Sequence, residues 1–439
     1  MTATADTKTG RESRRAAFEL LRLVLRKGHA LEDAIGHVPR WTQLPARDRA
    51  FARQLVATTL RRLGQLDGAL AACMDRPLKR KLSAVHDLLR LGAAQILFLD
   101  VPAHAAVAET VGLAVGVRVG AHKALLNAVL RRLSQEGEAL LANQDAERQA
   151  TPGWLWARWV AAYSETTARA IAAQHMREPP LDLAVTDPEQ AAAWAERLGA
   201  DHLPTGALRL PPGPRDPRRL PGYDDGAWWV QDAAAGLPPL LLGDVRGHRV
   251  IELCAAPGGK TAHLAAHGAE VLAVDRSAER LRRTVENLNR LSLGAATAAA
   301  DVTQWQPPER VSTVLLDAPC TATGTLRRHP DIAHLKQPDE IPAMAELQTR
   351  LARSAARMLA PGGTLVYAVC SLEPEEGPHV IERILAEDGE LVREPVQPAE
   401  LGGLPEAITP DGDVRTLPHH LAGRGGLDSF YIARLRRRV

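Results

Sequence analysis

The chain has 439 residues, of which 45% are apolar, enough for two to four domains at roughly 100–200 residues each and for real cores. Its four cysteines, none closely paired, argue against a disulfide framework and suggest a reducing, cytoplasmic setting. No uncharged apolar run reaches the about 18 residues that a membrane span needs, and the polar, basic start MTATADTKTGRESRRAA has no signal-peptide core. The net charge of +2 hides an asymmetry: residues 1–140 carry 22 Lys and Arg against 13 Asp and Glu, a surplus of nine positive charges, and the remainder is acidic. A basic segment of this kind suits a polyanionic partner. Arginine-rich helices with solvated faces would give the same count.

The N-terminal third reads as helical. In AAFELLRLVLRKG, Ala17, Leu20, Leu21, Val24 and Leu25 share one helix face. In KALLNAVLRRL the same spacing unites Leu125, Leu126, Val129, Leu130 and Leu133. Gly28, Gly64 and Gly92 punctuate the region, and Gly28 suits a helix end. Residues 1–140 are therefore expected to form an all-α domain. Residues 141–230 are expected to hold a helical linker and a small α+β module. Trp154, Trp156 and Trp159 in that linker are read as packing residues rather than a stacking platform for RNA. The stretch LPPGPRDPRRLPGYDDG at 210–226 is rich in turn signals.

From residue 231 to 439 strands and helices alternate. RVIELC, EVLAVD, VSTVLLD, GTLVYAVC and DSFYIARLRRR read as strands. KTAHLAAHG, SAERLRRTVENLNRLSL, AELQTRLARSAARMLAPGG and EEGPHVIERILAEDG read as helices. Such alternation implies a mostly parallel, doubly wound α/β sheet, with ligands bound at the carboxyl ends of its strands.

ELCAAPGGKT (252–261) follows the first of these strands and opens a helix. Gly258 and Gly259 allow close approach to a ligand, and a helix start offers free N–H groups to an anion. Asp275, at the end of the second strand, stands where an acid binds ribose hydroxyls in dinucleotide folds. Asp301, after the third strand-like run, is placed to meet an adenine amino group. An ATP-binding P-loop fits less well. Its first glycine is replaced by Cys254, Pro257 removes a backbone donor, and Asp275 would have no role.

Two cysteines end apolar runs and open polar loops: Cys320 in LLDAPCTATGTLRRHPD and Cys370 in LVYAVCSLEPEEG. Together CAAPGGKT, DAPCTATGTLRRHPD and VYAVCSLEPEEG resemble the S-adenosylmethionine-dependent RNA cytosine-C5 methyltransferases. DSFYIARLRR is similar to their last strand and VQDAAA (230–235) to the entry of their catalytic domain. LRLGAAQILFLDVPAHAAVAETV and ALLNAVLRRL resemble the RNA-binding helical domain of the NusB type. The combination is that of the bacterial 16S ribosomal RNA methyltransferases of the RsmB (Fmu/Sun) type.

The resemblance implies a Rossmann-like class I methyltransferase domain behind an all-α NusB-like domain, with S-adenosyl-L-methionine as cofactor and 16S ribosomal RNA as partner. The target would be C5 of cytosine 967, and the enzyme a cytoplasmic monomer without a membrane. Cys254, Ala255, Ala256, Pro257, Gly258, Gly259 and Lys260 would hold the methionine end, Asp275 the ribose and Asp301 the adenine side. Asp317 would lie near both cofactor and base. Cys370 would be the nucleophile, and Cys320 would help release the product. The chain departs from the family in three places. Position 369 is Val where Thr is usual, position 321 is Thr where Ser is usual, and QDAAAG lacks the late Ser and Gln of the entry motif.

The chemistry needs these groups. Cytosine C5 becomes nucleophilic once a soft nucleophile adds at C6, and a thiolate can both attack and later leave. Asp317, as a protonated or proton-sharing acid, would draw electrons through N3. A base modified in this way must leave its stack, and Arg327 and Arg328 either hold the flanking phosphates or lie in a solvated loop. Cys73 reads as a small buried apolar residue. No CxxC or nearby His pair suggests zinc. Two other readings remain: the same chemistry on another ribosomal or transfer RNA cytosine, and an RNA-binding assembly factor with an inactive methyltransferase domain.

Overall fold

Leu20, Leu21, Val24 and Ala17 on one face of the first helix are fully buried, with Leu25 packed at their margin, and this apolar stripe organises the N-terminal unit. The structure, a computed structural model, describes residues 2–213 and 216–439, with side chains from residue 10. Pro214 and Arg215, in the turn-rich stretch expected at 210–226, lie outside the described residues, as do the first side chains of the polar N-terminal start. The chain divides into two units: Met1–Glu178 with Arg328–Lys336, and Pro179–Arg327 with Gln337–Val439.

The first unit is helical: α1 (Thr2–Lys27), α2 (Leu31–Gly36), α3 (Ala46–Arg61), α4 (Leu63–Ala72), α5 (Ser83–Phe98), α6 (Ala103–Gly116), α7 (Lys123–Ala142), α8 (Ala146–Ala150), α9 (Gly153–Tyr163) and α10 (Glu165–His175). Leu126, Val129, Leu130 and Leu133 of α7 join the same core. Each leucine buried there contributes roughly 1.5–3 kcal/mol. Gly28 ends α1 at a φ of 73°, as expected of a helix terminator. Gly64 lies at the start of α4, just past the break from α3, whereas Gly92 lies inside α5 and breaks nothing. A Cβ on Gly64 would come within 1.8 Å of the Gln149 carbonyl oxygen, and one on Gly92 within 2.7 Å of Leu130. These glycines mark close helix approach, which a sequence does not distinguish from a break. Trp159 is buried against the His175 ring at 5.2 Å, and Trp156 sits under Arg148 and Arg169. Cys73 is buried at the end of α4.

The segment Arg328–Lys336 belongs to this helical unit. It contains α15 (Ile332–Leu335), Asp331 accepts from the Leu31 amide at 2.9 Å, and His334 Nε2 meets the Leu60 carbonyl at 2.9 Å.

The second unit holds two sheets. The smaller is antiparallel, in the order β2 (Asp201–His202), β3 (Leu208–Arg209), β1 (Asp182–Val185), β4 (Trp228–Val230), with α11 (Ala191–Leu198) against it. The segment 141–230 is thus divided: α8, α9 and α10 group with the first unit, and α11 and the small sheet with the second. The short α12 (Leu237–Leu240) leads into the larger sheet. That sheet comprises β5 (Arg249–Leu253), β6 (Glu270–Asp275), β7 (Ala296–Ala299), β8 (Val311–Asp317), β9 (Leu359–Val369), β10 (Leu391–Arg393), β11 (Val414–Arg415) and β12 (Tyr431–Arg437). Its order is β10-β12-β9-β8-β5-β6-β7, with β11 on β12. The β7-to-β9 side is parallel, and β12 pairs antiparallel with both β9 and β10. Helices α13 (Gly259–Ala266), α14 (Ala278–Arg290), α16 (Glu340–Arg357) and α17 (Pro378–Glu387) make the crossovers.

Layers on both faces explain the continuous apolar strands. In β8, Val314 and Leu316 enter one core and Leu315 the opposite one; in β9, Leu365, Tyr367 and Val369 alternate likewise with Val366 and Ala368. No helix among the described residues is long and apolar enough to cross a membrane.

Candidate active site

Strands β5, β8 and β9 end side by side, because Leu253 pairs with Leu316 and Leu316 with Tyr367. Cys254, Asp317 and Cys370 therefore leave the sheet at one edge. It is the carboxyl edge, where open α/β sheets bind ligands, and the strand order reverses there between β5 and β8.

The loop from Cys254 to Gly258 joins β5 to α13. Cys254 has a φ of 60° and Gly258 a φ of 95°. A Cβ on Gly258 would lie 2.4 Å from Thr284 Cγ2 on α14, so the position takes only glycine. Asp275 closes β6 and is buried; its carboxylate accepts from the Ala256 amide at 3.2 Å and the Ser277 amide at 2.9 Å. Arg280 hydrogen-bonds the Ala256 carbonyl and lies 3.6 Å from Asp275. Burial, with Asp275 and Asp317 nearby, pushes the Cys254 thiol up to about 12, so it keeps its proton. Asp301, past β7, is exposed. Hydrogen bonds from the Thr303 hydroxyl at 2.7 Å and amide at 2.9 Å hold its carboxyl below the usual range.

Lys260, second residue of α13, turns away from that loop. Its Nζ donates to Asp317 Oδ2 at 2.6 Å and lies 5.1 Å from the centre of the Phe430 ring. Its side chain is largely buried, whereas Asp317 is about one-third open. Beneath them, Glu252 accepts from the Thr261 hydroxyl at 2.6 Å, and burial raises its pKa to about 8.

The sulfur atoms of Cys320 and Cys370 lie 3.4 Å apart. Gly324 links their loops: its amide donates to the Cys370 carbonyl at 3.0 Å, and its carbonyl accepts from the Ser429 amide at 2.8 Å. Hydrogen bonding to Cys370 and burial hold the Cys320 thiol well above the ordinary thiol range. Either sulfur can donate in this contact.

Arg327 is neither a phosphate contact nor part of a solvated loop. It is 1% exposed, donates to Asp232 at 3.1 Å, lies 3.5 Å from Asp428 and bonds the Gly425 carbonyl. Asp232 also caps the turn at Ala233–Gly236. The neighbouring Asp182–Arg209 pair, bidentate at 2.7 and 2.6 Å, ties the small sheet to this cluster through the Ala233 amide. One residue at the site escaped the sequence reading, and another meets a partner that was not foreseen. Lys260 was expected at the methionine end of the cofactor, and Glu376 was not singled out. An acid two turns of loop beyond a candidate nucleophile was the available signal for Glu376.

The reversed strand order, the glycine-dependent loop at the start of α13 and the antiparallel β12 beside β9 define a class I methyltransferase. Residues 239–436 match the family described as 16S rRNA methyltransferase RsmB/F, and residues 11–135 match the NusB family. The ribosomal RNA small subunit methyltransferase B of Proteus mirabilis is 37% identical over 86% of this chain and 92% of its own. That of Vibrio cholerae is 36% identical over 96% of each. The crystal structure of PH0851 superposes with a TM-score of 0.73, at 22% identity, over 97% of this chain and 99% of its own, and so shares the fold. The chain belongs to the RsmB/F family of 16S rRNA methyltransferases and is an S-adenosylmethionine-dependent RNA methyltransferase.

Proposed function

We propose that the protein methylates C5 of one cytosine in 16S ribosomal RNA, cytosine 967, through a covalent bond between Cys370 and C6 of the base. The observation that carries this reading is the pair of thiols 3.4 Å apart, on the strand end next to the Lys260–Asp317 pair.

The residues around Cys254–Gly258 fit S-adenosylmethionine. The buried Asp275 suits the ribose and the exposed Asp301 the adenine side. The start of α13 offers N–H groups to the carboxylate of the methionine end. No lysine serves the loop as a phosphate ligand, since Lys260 is committed to Asp317. The bound cofactor supplies an electrophilic methyl group.

Cys370, as thiolate, adds to C6 and breaks the C5–C6 π bond, so the electron pair moves to C5 as an enamine. Asp317 and Lys260 together hold the proton that cytosine N3 needs for this shift, so the pair, rather than a protonated acid alone, does the general-acid work. Once C5 carries the methyl group, water takes the C5 proton, the C–H electron pair restores the C5–C6 double bond, the C6–S bond breaks to release Cys370 as a thiolate, and the N3 proton returns to the Lys260–Asp317 pair. Cys320 donates its hydrogen bond to the departing thiolate, which eases expulsion. The basic residues of 1–140 supply the salt-sensitive part of RNA binding. The free thiols suit the reducing cytoplasm, where the protein would act as a monomer.

The test is a covalent-trapping gel with unmethylated 16S RNA and S-adenosylmethionine. Cys320→Ala is expected to accumulate a denaturation-resistant protein–RNA adduct that vanishes when Cys370 is also replaced. An adduct in Cys370→Ala would exchange the two roles. Absence of methyl transfer by the wild type would remove this RNA as substrate, leaving another cytosine or an assembly role.

A further inference from the structure

We infer that Glu376 is a positioning residue that clamps the two cysteine loops together from behind. The inference rests on the proposed roles of Cys320 and Cys370. Glu376 is fully buried in the turn before α17. Its Oε1 accepts from the Thr321 amide at 2.8 Å and from Gln348 Nε2 at 3.1 Å. Its Oε2 accepts from the Thr321 hydroxyl at 2.5 Å and from the Ser371 hydroxyl. Thr321 follows one cysteine and Ser371 follows the other, so one carboxylate grips the residue next to each thiol.

Gln348 extends the grip. The same Nε2 donates to the Pro319 carbonyl at 2.8 Å, on the other side of Cys320. Pro319 and Thr321 are thereby both fixed, and Cys320 between them has little freedom to drift from Cys370. The Tyr367 hydroxyl donates to the Glu376 carbonyl at 2.6 Å, which anchors the clamp to β9. The hydroxyl of Thr321 is what the grip uses, and serine would supply the same group; the departure at position 321 leaves this function intact.

The two loops come from different crossovers, and besides the Gly324 amide on the Cys370 carbonyl it is the Glu376 carboxylate that ties the residues next to both sulfurs. Misplacement of reacting groups by about 1 Å costs on the order of 100-fold in rate. The clamp should therefore govern the step that needs both thiols at once, expulsion of Cys370 with Cys320 beside it.

Three variants of the full-length protein test this. Glu376→Ala removes the clamp, Glu376→Gln keeps an acceptor for the Thr321 amide while its NH2 group can donate to the two hydroxyls, and Thr321→Val cuts one tie. The first readout needs no RNA: hydrogen peroxide takes two electrons and two protons from the thiols, forming a Cys320–Cys370 disulfide and two waters, and the rate reports their register. Glu376→Ala is expected to slow cross-linking on the order of 100-fold while S-adenosylmethionine still binds, and Glu376→Gln to restore most of the rate. The second readout is the trapped RNA adduct, which should accumulate in Glu376→Ala as in Cys320→Ala. Wild-type cross-linking and no accumulation in Glu376→Ala would overturn the clamp. If that variant loses cofactor binding through misfolding, Thr321→Val decides: slowed cross-linking supports the clamp and a wild-type rate overturns it. Failure of the proposed reaction itself would show separately, as methyl transfer by Cys370→Ala.

Discussion

Lys260 and Asp317 come from opposite sides of the topological switch, one on α13 after β5 and one at the end of β8, and they meet at 2.6 Å. The lysine follows the β5–α13 loop in sequence and reaches the end of β8 in space. It connects the two halves of the site.

Lys260→Met should therefore lower kcat for methyl transfer by about 100-fold or more, the scale of a lost acid–base group, with the dissociation constant of S-adenosylmethionine changed only slightly. Asp317→Asn should lose a comparable factor, and the double variant little more, since the two act as one unit. Steady-state kinetics with equilibrium cofactor titration measures both quantities. Loss of cofactor affinity alone in Lys260→Met would return the lysine to the loop.

Arg327 sits between Asp232 and Asp428 with almost no exposure. Replacing it by leucine removes a buried cation from between two buried carboxylates, a change that typically costs about 3–5 kcal/mol. Denaturant unfolding should show a loss of that size. Lysine should not rescue it, because a single ammonium cannot reproduce the guanidinium's planar set of donors. A variant as stable as wild type would mean that the cluster relaxes.

Glu252 imposes a pH dependence. Its folded pKa of about 8 lies above the ordinary 4.5, so between those values the folded state binds a proton that the unfolded state has lost. Stability from this group is complete below about 4.5 and falls as pH rises towards about 8, with a slope of at most about 1.4 kcal/mol per pH unit. Glu252→Gln should flatten the melting temperature across that window relative to wild type. Parallel profiles would show that the carboxyl is ionised in the folded protein.

Gly324→Ala should abolish the approach of the two cysteine loops. Its Cβ would stand 2.1 Å from the Ser429 oxygen and 2.9 Å from the Cys370 oxygen, both backbone atoms that a rotamer change cannot move. Methyl transfer should fall by about 100-fold, with S-adenosylmethionine still bound. Wild-type turnover would show that the loops have slack.

Much of this architecture is legible in the chain. The strands β5, β6, β8, β9 and β12 and the helices between them follow from apolar runs alternating with 3.6-residue periodicity, and the loops at Cys254, Cys320 and Cys370 follow from where those runs stop. The edge strands β10 and β11 are two or three residues long, and only pairing with β12 makes them strands. Arg327 shows a different limit. Its neighbours TLRRHPD read as a polar loop, because an arginine that is buried among acids from residues 95 and 101 positions away carries no local mark. Glu376 is hidden for the same reason, as one acid among several, with partners at Thr321 and Gln348 that lie 55 and 28 positions away.

The helical unit is not continuous along the chain. Nine residues from the far side of the Cys320 loop, Arg328–Lys336, complete it, with Asp331 holding the start of α2 and His334 the end of α3. A protein cut after residue 178 would yield a helical fragment with a missing piece, and exchange of this unit between relatives by a single crossover would leave the recipient mismatched. Residues 1–178 and 328–336 can diverge in sequence, but inheritance must carry them as a set.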